Sequence, residues 1–217
     1  MSQTSLYCLP VVWFTFFCSA QGGVIERDWK IAGDGLLTYD DVNQREWLDL
    51  SETILDQFPG ATLEDRYQSV VAETNAGGMF EGFAAAEAND VFALAESAGI
   101  DTSSFDYETN QAATRSLMNL LGPTLVFSPD IMLSFGYLEA FSTLPPNRGM
   151  REAVIIFLDT PTPFNSGTAR FLIGGDDSMS LSTLGVMLYR NAVPEPASWM
   201  LLAIGAAAVA STLRSFY

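Results

Sequence analysis

Apolar and polar positions along the chain fall into three regimes. Residues 6–17 (LYCLPVVWFTFF) and 197–213 carry no charge, and the long stretch between them is patterned. Residues 24–29 and 36–39 read as short strands separated by the turn formers Ala32, Gly33, Asp34 and Gly35. Trp47, Leu48, Asp49 and Leu50 make a third short alternation, and Pro59-Gly60 breaks the chain. Thr62 stands three residues before Asp65, the spacing of a capping box, and Leu63, Tyr67, Val70 and Val71 share one helical face. Ala76, Gly77 and Gly78 stop that helix. A second helix is expected from Glu87, with Val91, Leu94, Ala95 and Ala98 as its buried stripe and Gly99 at its end. A third spans 108–121, with Ala113, Leu117, Leu120 and Leu121 on one face and Gly122-Pro123 closing it.

The period then shortens. Residues 125–127, 132–138, 154–158, 169–173 and 184–189 are apolar or alternating runs. They are divided by Pro145-Pro146-Asn147, Pro161-Thr162-Pro163 and Gly174-Gly175-Asp176-Asp177, which predicts antiparallel strands joined by turns. The fold class expected is α+β: a small antiparallel sheet with two or three helices from the first half, plus a C-terminal transmembrane helix. No repeat or heptad pattern interrupts this order.

The two apolar ends read differently from the middle. The run 6–17 is followed by Cys18, Ser19 and Ala20, the form of a secretory signal peptide cut after residue 20. No Lys or Arg precedes Arg27, so the amino terminus alone supplies the positive end of that signal. As a helix, 197–213 would be about 25 Å long, the short end of a membrane span. Trp199 and Tyr217 flank it as interfacial aromatics do, and Arg214 is its membrane-proximal basic residue. A buried C-terminal helix is the rival reading; the lack of charge on every face favours the membrane. The domains expected are thus 1–20, an acidic extracytoplasmic domain over 21–193, and a terminal segment over 194–217.

Composition narrows the chemistry. The chain has 26 Asp and Glu against 10 Lys and Arg, a formal net charge of −16, and no histidine. Such a surface repels nucleic acid, so no nucleic-acid partner is expected. Both cysteines, Cys8 and Cys18, lie in the expected signal, leaving no disulfide framework, thiolate metal site or cysteine nucleophile after export. Without histidine, Ser-His-Asp and Cys-His mechanisms and His-ligated zinc are excluded.

Pro194, Glu195 and Pro196, followed by a short apolar helix and a basic end, resemble the PEP-CTERM sorting signal of exported bacterial proteins. That resemblance implies export by the Sec machinery, tethering in the inner membrane through 197–213, and processing by an exosortase near the motif. Two prolines keep the motif extended and outside the helix, where an enzyme can reach it. The tail departs from the family in having only Arg214, where several arginines are usual. A second segment, GDGLLTYD at 33–40 with EWLDLSET at 46–53, is similar to PEP-CTERM ectodomains and distantly to the Lcl C-terminal domain, whose fold is related to C-type lectins. Residues 80–83 and 90–94, Ala98 to Ile100, and VMLYR at 186–190 fit the same pattern. Where that family tends to place Arg-Tyr-Ala-Thr, this chain has Ala84, Ala85, Ala86 and Glu87.

Carboxylates are the plentiful reactive group. Asp34, Asp40, Asp41, Asp49 and Glu52 are the candidates for an acid and base pair, and their spacing marks no pair. Phe157-Leu158-Asp159-Thr160 has the look of an aspartic protease strand, but Pro161 stands where glycine is needed. No catalytic residue is assigned and no enzyme is expected. Calcium is the cofactor that the oxygen ligands near 34–41 and at Asp176 and Asp177 would suit; neither has EF-hand spacing, and otherwise no cofactor is expected. Trp29 and Trp47 are read as core anchors rather than sugar platforms. The expectation is a non-enzymatic cell-surface or matrix protein that binds exopolysaccharide or adheres. The alternatives are a carboxylate-dependent hydrolase of extracellular polymers and a surface protein that stays anchored without processing.

Overall fold

The computed structural model describes residues 23–128, 131–141, 151–161, 167–175 and 183–192. The expected signal peptide (1–20), the motif Pro194, Glu195 and Pro196, the apolar segment 197–213, Arg214, and the turn residues Asp176 and Asp177 lie outside the described residues. Among the described residues, no helix is long and apolar enough to cross a membrane.

The chain is α+β, but it builds two sheets where one was expected. Sheet 1 has the order β1-β2-β3-β10-β4, from Val24–Arg27, Leu37–Asp40, Arg45–Leu48, Leu188–Asn191 and Ala84–Ala85. Its pairings are all antiparallel. Sheet 2 runs β5-β6-β7-β8, from Leu125–Ser128, Ile131–Phe141, Arg151–Asp159 and Thr168–Gly175. A short β9, Gly185–Val186, joins β6 in parallel, which departs from the purely antiparallel expectation. The apolar run 184–189 is therefore not one strand. Its first half enters sheet 2 as β9, and its second half enters sheet 1 as β10. The third predicted strand is also displaced: β3 ends at Leu48, and Leu50–Thr53 is a 3-10 helix whose N-cap, Asp49, accepts from the Ser51 N–H at 2.7 Å.

The three helices form where capping and periodicity place them. In α1, Leu63–Ala72, the Thr62 hydroxyl accepts from the Asp65 N–H at 3.1 Å, and the Asp65 carboxylate accepts from the Thr62 N–H at 3.0 Å. In α2, Ala88–Ser97, Asp90 accepts from the Glu87 N–H and pairs with Arg45 at 2.7 Å. In α3, Tyr107–Leu121, the buried stripe is Tyr107, Asn110, Thr114, Leu117, Met118 and Leu121. Leu120 and Ala113, expected on that face, are only half-buried, so the face is turned by about one residue from the apolar pattern.

Two apolar clusters hold these layers together. The first packs α2 and α3 against the face of sheet 2 that carries Leu138, Val154, Ile156, Leu158 and Phe171, with Trp47 of sheet 1. The second joins Tyr67 and Val70 of α1 to Leu37, Leu48 and Leu188 of sheet 1 and to Leu133, Phe135 and Tyr137 on the opposite face of sheet 2. Trp47 is fully buried against Tyr189, and Trp29 stacks at 5.8 Å on Phe80, so both tryptophans lie in or against the core as expected. Thr53 ties the halves of the chain: its hydroxyl accepts from the Val186 N–H and lies 2.9 Å from the Val186 carbonyl.

Candidate functional site

The carboxylates singled out in the sequence do not converge. The Asp34 carboxylate accepts backbone N–H bonds from Trp29 (2.8 Å), Lys30 (2.9 Å), Ile31 (2.9 Å) and Leu36 (3.3 Å). The bond from Trp29 leads in holding its carboxyl down to about 2, against a weaker upward effect of desolvation. Asp40 accepts from the N–H groups of Val42 and Asn43 and from the Asn43 amide, closing the β2–β3 turn. Asp41 accepts from the Gly23 N–H, Asp49 caps the 3-10 helix, and Glu52 is half-buried within it. Four of the five candidates thus serve the backbone. Among the described residues, no three His, Cys, Asp or Glu side chains gather as a metal site.

The built cavity lies elsewhere. Tyr67, Gln68, Val71 and Thr74 of α1 and its C-terminal turn, Phe83 to Ala85 at β4, Glu139 and Phe141 of β6, and Arg151 of β7 enclose about 420 Å³. That is the size range of a small-ligand cleft. Arg151 organises it, with its side chain only 6% exposed. Its Nη2 donates to both oxygens of Glu64 (2.7 and 2.9 Å), and its Nε donates to Glu64 at 3.0 Å. Its Nη1 donates to the carbonyls of Leu138 (3.0 Å) and Glu139 (2.7 Å). The guanidinium carbon sits 3.5 Å from the centre of the Tyr67 ring and 4.3 Å from that of Phe141. A planar fork between two rings fixes both walls of the cleft.

The electrostatics follow from these contacts. Desolvation would raise the Glu64 carboxyl, but hydrogen bonds from Arg151 and Gln68 and the Arg151 charge outweigh it and hold the group below its usual value. Burial raises the Tyr67 phenol to about 12, and among the described residues its hydroxyl has no hydrogen-bond partner. Glu139, Gln68 and Thr74 are the polar groups that reach solvent around the mouth. The exposed Phe141 ring beside a rim of amide, hydroxyl and carboxylate can pack on a flat apolar face and bond hydroxyls at its edge.

Sequence reasoning missed this cleft. In the sequence pattern Tyr67 marks only the apolar face of α1, and Arg151 and Phe141 belong to no motif. The segment where the chain departs from the lectin-related pattern, Ala84 and Ala85, lines one side of it. The lone arginine opening the apolar run REAVIIFLD was the available signal, since a charge at a buried strand position requires a partner.

Comparison with known proteins adds one finding at the other end of the chain. Residues 192–215 match the family model described as the PEP-CTERM protein-sorting motif. No curated protein and no solved structure matches the chain.

Proposed function

We propose that this exported substrate of exosortase, held at the membrane until it is processed, works as a non-enzymatic cell-surface or matrix protein that binds polysaccharide in the Tyr67–Arg151 cleft. The observation that carries the reading is the cleft: Phe141, 49% exposed, offers a ring edge and face at the mouth, while Gln68, Thr74 and Glu139 offer groups that bond sugar hydroxyls. The resemblance of residues 33–40, 46–53, 80–83, 90–94 and 98–100 to PEP-CTERM ectodomains, and distantly to the Lcl C-terminal domain, supports the surface role. Carboxyl chemistry supports a binding role over hydrolysis. Among the described residues, the carboxyls that move, Asp34, Glu64, Asp65, Asp101 and Asp106, move towards the ionised form, opposite to what a general acid needs.

Affinity electrophoresis of the 23–192 domain through the producing cell's own exopolysaccharide, with and without calcium, tests this. Retention is expected, and Phe141→Ala, at a residue 49% exposed, should weaken it about tenfold through loss of one stacking face. Free migration through every glycan, with or without calcium, would remove the reading. Release of sugar from the polymer by the purified domain would replace it with hydrolysis.

A further inference from the structure

β10 ends at Asn191, and the matched sorting motif begins at residue 192. Ala192 is still fixed to the domain, its N–H donating to the Gln44 carbonyl at 2.9 Å. β10 itself is held on both sides, by β3 and by β4. One residue, Val193, then separates the folded domain from Pro194. Two peptide steps span at most about 7 Å. An enzyme that grips Pro194 to Pro196 therefore meets the end of sheet 1 from which Ala192 emerges.

That end has a defined surface. The β2–β3 turn carries Val42, 59% exposed, and Gln44 in a left-handed conformation with φ 55°. Asn43 bonds the Ser97 hydroxyl at 2.9 Å, which locks the turn against α2. Val42, Asn43, Ala93, Glu96 and Ser97 enclose a hollow of about 280 Å³ there. We propose that this face, centred on Val42 and Glu96, docks on the exosortase while the sorting motif is engaged, the short tether enforcing the contact. The proposal rests on exosortase recognition of the motif. Its occupant is the enzyme rather than the bilayer, because the enzyme must hold the residues immediately beyond Val193.

A photo-crosslinking amino acid replacing Val42 in the full chain, co-expressed with its exosortase, tests this. The same probe replacing Ile31, an exposed residue at the far end of β1 and β2, is the control. An adduct with the enzyme from position 42 and none from position 31 is expected. Inserting about eight Gly and Ser residues after Ala192 should reduce that adduct several-fold. Val42→Arg should slow processing several-fold with the natural tether and leave it unchanged with the long one. Labelling of lipid alone from position 42, or a processed chain with no adduct and no tether dependence, overturns the docking face. A chain whose motif is never cut overturns the sorting reading itself, and the docking face with it.

Discussion

Arg151 and Asp34 show how single side chains fix this molecule by opposite means. Arg151 is a buried cation made tolerable by a bidentate carboxylate, two carbonyls and two ring faces. Glu64→Gln removes the charge partner and leaves the cation in place. It should cost about 1–2 kcal/mol of stability, read as a lower urea midpoint with the slope unchanged, less than for a fully buried pair because the Glu64 side chain is 44% exposed. Asp34 is a half-buried anion used as a turn clamp. Its folded carboxyl is held at about 2 against an ordinary 3.8, so its contribution is complete above the higher value and disappears as pH falls through the lower one. Asp34→Asn should therefore flatten the loss of stability on acidification in that window, as followed by tryptophan fluorescence. The turn role of Asp34 was legible in Ala32-Gly33-Asp34-Gly35. The role of Arg151 was not, because its partner Glu64 lies 87 residues away.

Helices were easier to read than strands for a physical reason. A helix is specified by neighbours: Thr62 with Asp65, and Val91 with Leu94 and Ala95, act within two turns. A strand is specified by whatever lies beside it, and the run 184–189 meets two different neighbours. At Gly136 and Gly185, β6 and β9 pair so closely that a Cβ on residue 136 would sit 2.6 Å from Met187 Cγ and 3.0 Å from Leu50 Cδ2. Gly136→Ala should destabilise by about 1–3 kcal/mol through overpacking, and adding Met187→Ala should recover part of that loss. Thermal melts of the two single variants and the double variant measure the coupling. The two-residue β4 was invisible in the sequence, since Ala84 and Ala85 pair with β10 from a stretch without β-propensity.

At the level of the whole molecule, the last described strand is also an interior one. β10 lies between β3 and β4, and Arg190 reaches across 144 residues to Glu46 at 2.8 Å. A chain ending at Ala192 should keep the native circular dichroism and slow amide exchange of sheet 1. A chain ending at Thr183 should lose both, because it removes β9, β10 and the Thr53–Val186 bonds together. Such separations in sequence also place closure of sheet 1 late in folding, because β10 is the last of its strands along the chain. The α+β class and the terminal motif were legible in the sequence because composition and local pattern carry them. The partition into two sheets was not, because only the completed tertiary structure divides residues 184–189 between them.

The insertion of β10 between two antiparallel neighbours has a mechanical consequence. Tension applied through the residues beyond Ala192 runs along the strand axis, so the bonds to β3 and β4 are loaded side by side in shear rather than peeled one after another. A domain hung from its C-terminus thus loads two ladders together, whereas β1, at the edge of the same sheet, is held by one ladder alone, to β2.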